Sequence, residues 1–130
     1  IMEQYDWMQE RNIAPDFEIS DGIVIESNLN YVMRITENLF SNAQKYTLKN
    51  LGVSVSKNES GVVFSVFNDT EESMDIDITR VFEPFYKPVS RNKSGSGLGL
   101  YVVKCLSDKL GIEAKAEFDK NGFFRITVIF

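Results

Sequence analysis

The chain has 130 residues, a formal net charge of −5, one cysteine and no histidine. That length makes one domain with a real core, and the negative balance argues against nucleic acid or an anionic membrane surface as the main partner. The lone Cys105 excludes an internal disulfide and fits a reducing compartment, and the lack of histidine argues against a zinc site. No apolar run approaches membrane-spanning length and no signal peptide is visible. The opening Ile1-Met2-Glu3 reads as a cut from a longer chain.

Residues 2–12 read as a helix with Tyr5, Trp7 and Met8 apolar, and Pro15 ends it. Residues 1–15 are thus expected to close a preceding linker or to form a packing arm, with the domain proper over 16–130. Phe17–Ile19 and Ile23–Ile25 read as two short strands joined at Asp21-Gly22, a hairpin turn signal. Ser27 or Asn28 can cap the long helix that follows. It runs to about Lys49, with Gly52 placed for a left-handed cap. Val53–Ser56 alternates as a half-buried strand does. Asn58–Gly61 is a turn, and Val62–Phe67 is the next strand. From Asp69 to Ser94 the chain is polar and irregular around an aromatic island at Phe82–Tyr86, and so long a loop in a small domain is usually functional. A helix follows over Leu98–Leu110 and stops at Gly111, with Cys105 on its apolar stripe as a packing thiol. Ile112–Phe118 and Phe123–Phe130 form a final hairpin across Asp119–Gly122. The expected fold is an α/β two-layer sandwich, with a mixed, mostly antiparallel sheet and helices on one face.

Chemistry concentrates in three places. Asn38, Asn42 and Lys45 fall within roughly a 60° arc of the long helix at about 100° per residue. Leu29, Val32, Met33, Leu39, Phe40 and Ala43 fall on the other side. Two amides and an ammonium are poor core material but suit a cation-bound polyphosphate: an amide oxygen enters a hard-cation shell and an ammonium meets a phosphate. Gly95, Gly97 and Gly99 precede or open the second helix, where bare backbone N–H groups bind phosphate oxygens. Their spacing is neither the dinucleotide fingerprint nor a Walker loop. Lys87, Arg91 and Lys93 are cations on the long loop, placed to close on a triphosphate.

Taken in order, ENLFSNAQKYT, FNDTEES, VFEPFYKP and GSGLGLYVVK resemble the N, G1, F and G2 boxes of a histidine-kinase ATP-binding domain. That domain belongs to the ATPase superfamily shared with gyrase, the ninety-kilodalton heat-shock chaperone and the mismatch-repair ATPases. The resemblance covers about Phe17 to Phe130 and implies a nucleotide held between the helices and the long loop, which becomes an ATP lid. It implies ATP and Mg2+ as cofactors and Asn42 as the magnesium ligand. Asn38 would support the metal shell, Lys45 would meet phosphate oxygens, and Tyr46 would flank the nucleotide. Phe82 and Phe85 would anchor the lid base. Lys87 and Arg91 would serve the lid, and Gly95, Gly97, Leu98, Gly99 and Leu100 the phosphates. The G1 segment departs from the family pattern Asp-x-Gly-x-Gly. Asn68 and Asp69 are both candidates for the adenine reader. Asn68 is preferred because it lies fourteen residues before Phe82 and shares a strand face with Phe64 and Val66. Its oxygen accepts a hydrogen bond without charge assistance, weaker by about 1 kcal/mol. Thr70 and Glu72 stand where the glycines would be.

The implied function is the catalytic ATP-binding domain of a two-component sensor histidine kinase. It would pass the γ-phosphate to a histidine on a separate dimerisation domain of the same parent, and thence to a response regulator. The fragment would be a monomer, the parent a membrane-anchored homodimer, and the domain cytoplasmic. Rival readings are a nucleotide-weak regulatory pseudokinase, motivated by the altered G1 segment, and a serine kinase of the anti-sigma-factor type. A hydrolysing ATPase is disfavoured because an amide at Asn38 cannot act as general base, and Glu37 lies roughly 100° around the helix.

Overall fold

Alternation in four strands separates a helix-facing side of the sheet from an open side. The computed structural model describes residues 2–71, 75–88 and 96–130, and the side chains from residue 6 onward. Glu72, Arg91, Lys93 and Gly95, and the side chain of Tyr5, lie outside the described residues. The chain runs α1 (Met2–Glu10), β1 (Asp16–Ile19), α2 (Leu29–Tyr46), β2 (Leu51–Asn58), β3 (Gly61–Asn68), a 3-10 turn (Ile78–Arg80), α3 (Gly99–Leu110), β4 (Glu113–Phe118) and β5 (Phe124–Ile129). The strands form one sheet in the order β1-β2-β3-β5-β4. Only β1 and β2 run parallel. Val53, Val66, Ile126 and Ala116 stand in one cross-strand row on the helix-facing side. Ile35, Leu39 and Ala43 of α2, with Val103 and Leu106 of α3, close over that side and share its buried cluster. The result is an α/β sandwich. Trp7, Met8 and Ile13 belong to the same cluster, so α1 packs on the domain.

The open side is held by smaller devices. Ser65 and Thr127 hydroxyls meet at 3.0 Å. The Phe67 ring lies over Gly52, where any Cβ would collide with it, and Arg125 sits 4.2 Å above that ring while pairing with Asp119 at 3.2 Å.

Two sequence expectations fail here. The hairpin over residues 17–25 does not form. Its turn exists, with Gly22 at φ +71°, but only β1 is a strand, and it lies parallel to β2 with Asp16 opposite Gly52 and Ile19 opposite Val55. An isolated two-stranded hairpin is marginal in water, whereas β2 offers an edge already anchored in a sheet. The second failure is Gly52, which caps nothing. α2 ends at Tyr46 with Thr47 in extended conformation and the Thr47 N–H on the Ala43 carbonyl, and a carboxylate gathers the chain just past that end. Asp69 Oδ1 accepts the N–H groups of Leu48, Lys49 and Asn50 at 2.9, 2.9 and 3.1 Å, and Oδ2 accepts the Asn50 amide at 2.8 Å. The exit from α2 is thereby tied to the end of β3.

That latch titrates. Burial pushes the Asp69 carboxyl up, but the donated hydrogen bonds outweigh burial and hold it below the usual carboxylate range. A depressed folded pKa gives stability that is complete above the unfolded value and lost as pH falls through the folded one. Asp69→Asn is therefore expected to cost about 1–2 kcal/mol at neutral pH, after discounting for solvent screening. Urea unfolding along an acid series should show the gap to the parent chain closing below about pH 4; a gap that ignores pH would assign the cost to shape instead of charge.

Candidate functional site

The site is built on α2. Asn28 starts the helix by accepting the Tyr31 N–H at 3.1 Å. Ile35, Leu39 and Ala43 recur every fourth residue and are the helix's buried stripe. The single apolar back expected from the sequence is therefore split. Leu29 and Met33 are 70% and 50% exposed, because the sheet and α3 cover α2 at the Ile35–Ala43 stripe and not at its far side. Asn38, Asn42 and Lys45 lie on the flank next to that stripe, and with Tyr46 they form one wall of a cleft.

Tyr86, Lys87, Gly97, Gly99 and Leu100 face them across it. The Asn38 Nδ2 donates to the Arg34 carbonyl at 2.8 Å, which turns its Oδ1 outward. That oxygen lies 3.4 Å from the position a Cβ on Gly99 would take. Gly99 is the first residue of α3, whose N-terminus carries no side-chain cap. The first-turn N–H groups thus open next to the amide line without intrahelical partners. The helix dipole adds a positive end there. Burial, and then the neighbouring Tyr86 phenol, push the Tyr46 hydroxyl above its usual pKa, so it stays a neutral donor.

The opposite wall is stitched together. Phe85 N–H donates to the Gly97 carbonyl at 2.8 Å. Both residues have positive φ, +65° and +71°, and a Cβ on Gly97 would come 2.8 Å from Phe85 Cα. The Tyr86 hydroxyl accepts the Asp77 N–H at 2.7 Å, with Arg80 5.2 Å over its ring. This arrangement corrects the anchoring expected of Phe85. The left-handed backbone that reaches Gly97 swings its ring outward, 71% exposed, while Val81 is buried and Phe82 and Tyr86 pack against the core.

Other sequence candidates sit elsewhere. Asn68 is 2% exposed and donates its Nδ2 to the Asp69 carbonyl at 2.8 Å, leaving Oδ1 as the acceptor end of its amide. It is paired across the ladder with Phe124, which lines the cleft, whereas Asn68, Thr70 and Leu98 do not. Arg91 and Gly95 lie outside the described residues. Cys105 is half-buried, so it is not a core thiol. Sequence reasoning missed Ser41, Ile76, Val81, Tyr86, Pro88 and Phe124 as wall residues. Ser41 was findable, being three residues after Asn38 and four before Lys45 on one helix face. The apolar walls come from distant segments and left no local signal.

Among the described residues no group of three or more Cys, Asp and Glu is placed to hold a metal. The cation-compatible donors of the cleft are the amide oxygens of Asn38 and Asn42, hard ligands that suit magnesium completed by phosphate and water.

Phe85→Asn tests the stitched wall. Asparagine tolerates the left-handed region better than phenylalanine. Thermal unfolding should show stability kept or raised by about 0.5–1 kcal/mol. A loss above about 1 kcal/mol would restore the ring as an anchor.

Residues 28–130 match the profile of the family described as histidine kinase-, DNA gyrase B-, and HSP90-like ATPase. The chain is 34% identical over 117 residues to the sensor histidine kinase YcbM of Bacillus subtilis, covering 85% of this chain and 38% of that protein. It is 26% identical over 121 residues to the sensor histidine kinase GraS of Staphylococcus haemolyticus, covering 84% of this chain and 33% of that one. The chain thus spans well under half the length of these relatives. Among solved structures, the mycobacterial sensor histidine kinase MprB superposes with a TM-score of 0.77 at 22% identity, covering 99% of this chain and 93% of that one. Full-length ShkA in complex with AMPPNP superposes with a TM-score of 0.74 at 22% identity, covering 98% of this chain and 27% of that one.

Proposed function

This chain belongs to the histidine kinase-, DNA gyrase B-, and HSP90-like ATPase family, and from that premise we propose that it is the ATP-binding catalytic domain of a two-component sensor histidine kinase. The observation that carries the reading is the convergence of the Asn38–Asn42–Lys45 line with the uncapped N-terminus of α3 on one cleft. The sensor histidine kinases among its relatives and the AMPPNP complex of a structural neighbour support it.

On this reading Asn42 would hold magnesium through its side-chain oxygen and Asn38 would support the metal shell. When bound, the ion neutralises phosphate charge. Lys45 meets phosphate oxygens, Tyr46 flanks the nucleotide, and the first-turn N–H groups of α3 take the remaining phosphate charge. Asn68 Oδ1 accepts from the adenine amino group, with Thr70 on the turn beside it. Lys87 and Arg91 serve the lid, and Gly95, with Gly97, Leu98, Gly99 and Leu100, serves the phosphates. A neutral imidazole nitrogen of the dimerisation domain attacks the γ-phosphorus. The bond to the β,γ-bridging oxygen breaks, ADP leaves with that oxygen's electron pair, and the imidazolium gives up its N–H proton to water. The domain supplies position and charge neutralisation. A response regulator then takes the phosphoryl group. The parent is a membrane-anchored homodimer with this domain in the cytoplasm.

Calorimetric titration with ADP and AMPPNP, with and without magnesium, tests the site. Binding should saturate, strengthen with magnesium and weaken at least about tenfold in Asn42→Ala. Mixing the domain with ATP and the parent's dimerisation domain should then label the acceptor histidine. Nucleotide binding without transfer would leave an ATP-binding module of other use, and no binding at millimolar nucleotide would leave a regulatory pseudokinase.

A further inference from the structure

α2 has a third, apolar side, where Phe40 packs against the core edge while Met33 is left 50% exposed. It borders a cavity of about 370 Å3 lined by Met8, Phe17, Val32, Met33, Phe40 and Val53 among others. β1 forms one rim and is one of the two edge strands of the sheet, with all four of its residues exposed. Its inner edge is paired, since Ser20 N–H donates to the Val55 carbonyl at 3.0 Å. Alternation along a strand then directs the N–H and C=O of Phe17 and Ile19 away from β2. The same two residues stand opposite Val53 and Val55, on the helix-facing side, and are 45% and 56% exposed. Unpaired backbone and uncovered apolar side chains thus coincide on one strand.

The surroundings are acidic. Asp16 and Glu18 stand on the other face of β1, Glu37 lines the cavity, and Asp21 and Glu26 follow in the chain. Among the described residues none of these five takes part in the ion pairs found. We propose that this edge and cavity take up an extended segment of a partner protein in which apolar residues alternate with lysine or arginine. The segment adds as a further strand beside β1, its apolar residues reaching toward Met33 and Phe17 and its basic ones facing Asp16 and Glu18. A second copy is the poorer occupant, because pairing β1 with β1 sets these carboxylates against one another. Edges are commonly blunted by lysine, proline, bulges or a covering element; here the apolar face of β1 is left open beside a cavity. This proposal is independent of the nucleotide reading.

The probe is a short capped peptide of alternating valine and lysine, labelled for fluorescence anisotropy, with an alternating valine–glutamate peptide as the charge-reversed control. Binding should saturate on the full chain, and hydrogen exchange by NMR should show the Ile19 N–H becoming protected. Ile19→Pro removes that outward donor while keeping the β2 ladder and should weaken binding at least about tenfold. Asp16→Lys with Glu18→Lys should transfer the preference to the glutamate peptide. Undiminished binding in a folded Ile19→Pro chain, an unprotected Ile19 N–H, or self-association through β1 in sedimentation would each overturn the proposal.

Discussion

The constraint on which the rest depends is the turn of about 100° per residue in α2. It deals one sequence onto three faces. Ile35, Leu39 and Ala43 close the core. Asn38, Asn42 and Lys45 form a cleft wall, and Val32, Met33, Glu37 and Phe40 line a cavity on the third side. Rotating α2 by one residue would move an amide into the core and a leucine into the cleft. Its setting is held at both ends: Asn28 at the start, and the Asp69 carboxylate gathering the N–H groups just past its end.

The facing wall has no such rigid element, and its order comes from single hydrogen bonds to the backbone. Phe85 to Gly97 and Tyr86 to Asp77 are each a single hydrogen bond, yet together they fix both ends of the segment between residues 86 and 97. Closing that loop costs entropy that grows only slowly with its length. The positive φ of Phe85 is the strained point, tolerated because Gly97 permits close approach of the two backbones.

Features governed by a local period were readable. Helix arithmetic finds the amide–lysine line, Gly111 ends α3 in the left-handed conformation, and Asp119 organises the last turn by accepting the Asn121 and Phe123 N–H groups. Features that depend on which distant segment arrives were not. β1 took β2 as partner in place of residues 23–25 because pairing competes across the whole sheet. Gly52 looked like a cap and is a floor for the Phe67 ring. The split of the apolar side of α2 needs to know where the sheet and α3 sit, and Phe124 enters the cleft only through its register with Asn68. Hydrophobic pattern says that a residue is covered somewhere and does not say by what.

The placement of charge is the last link between this geometry and its chemistry. Among the described residues lining the cleft there is no aspartate or glutamate. The one acid within the Asn38–Lys45 neighbourhood, Glu37, turns to the cavity on another face of α2, and the position one turn before Asn42 carries an amide. An amide does not remove a proton from water at neutral pH. On the proposed reading, a phosphate held here by Lys45 and the α3 N-terminus would be neutralised and positioned, while the described lining residues offer no carboxylate base to activate a water. On the proposed reading, such a cleft would preserve a phosphoanhydride until a nucleophile is brought to it, the division of labour that phosphoryl transfer to a separate acceptor requires.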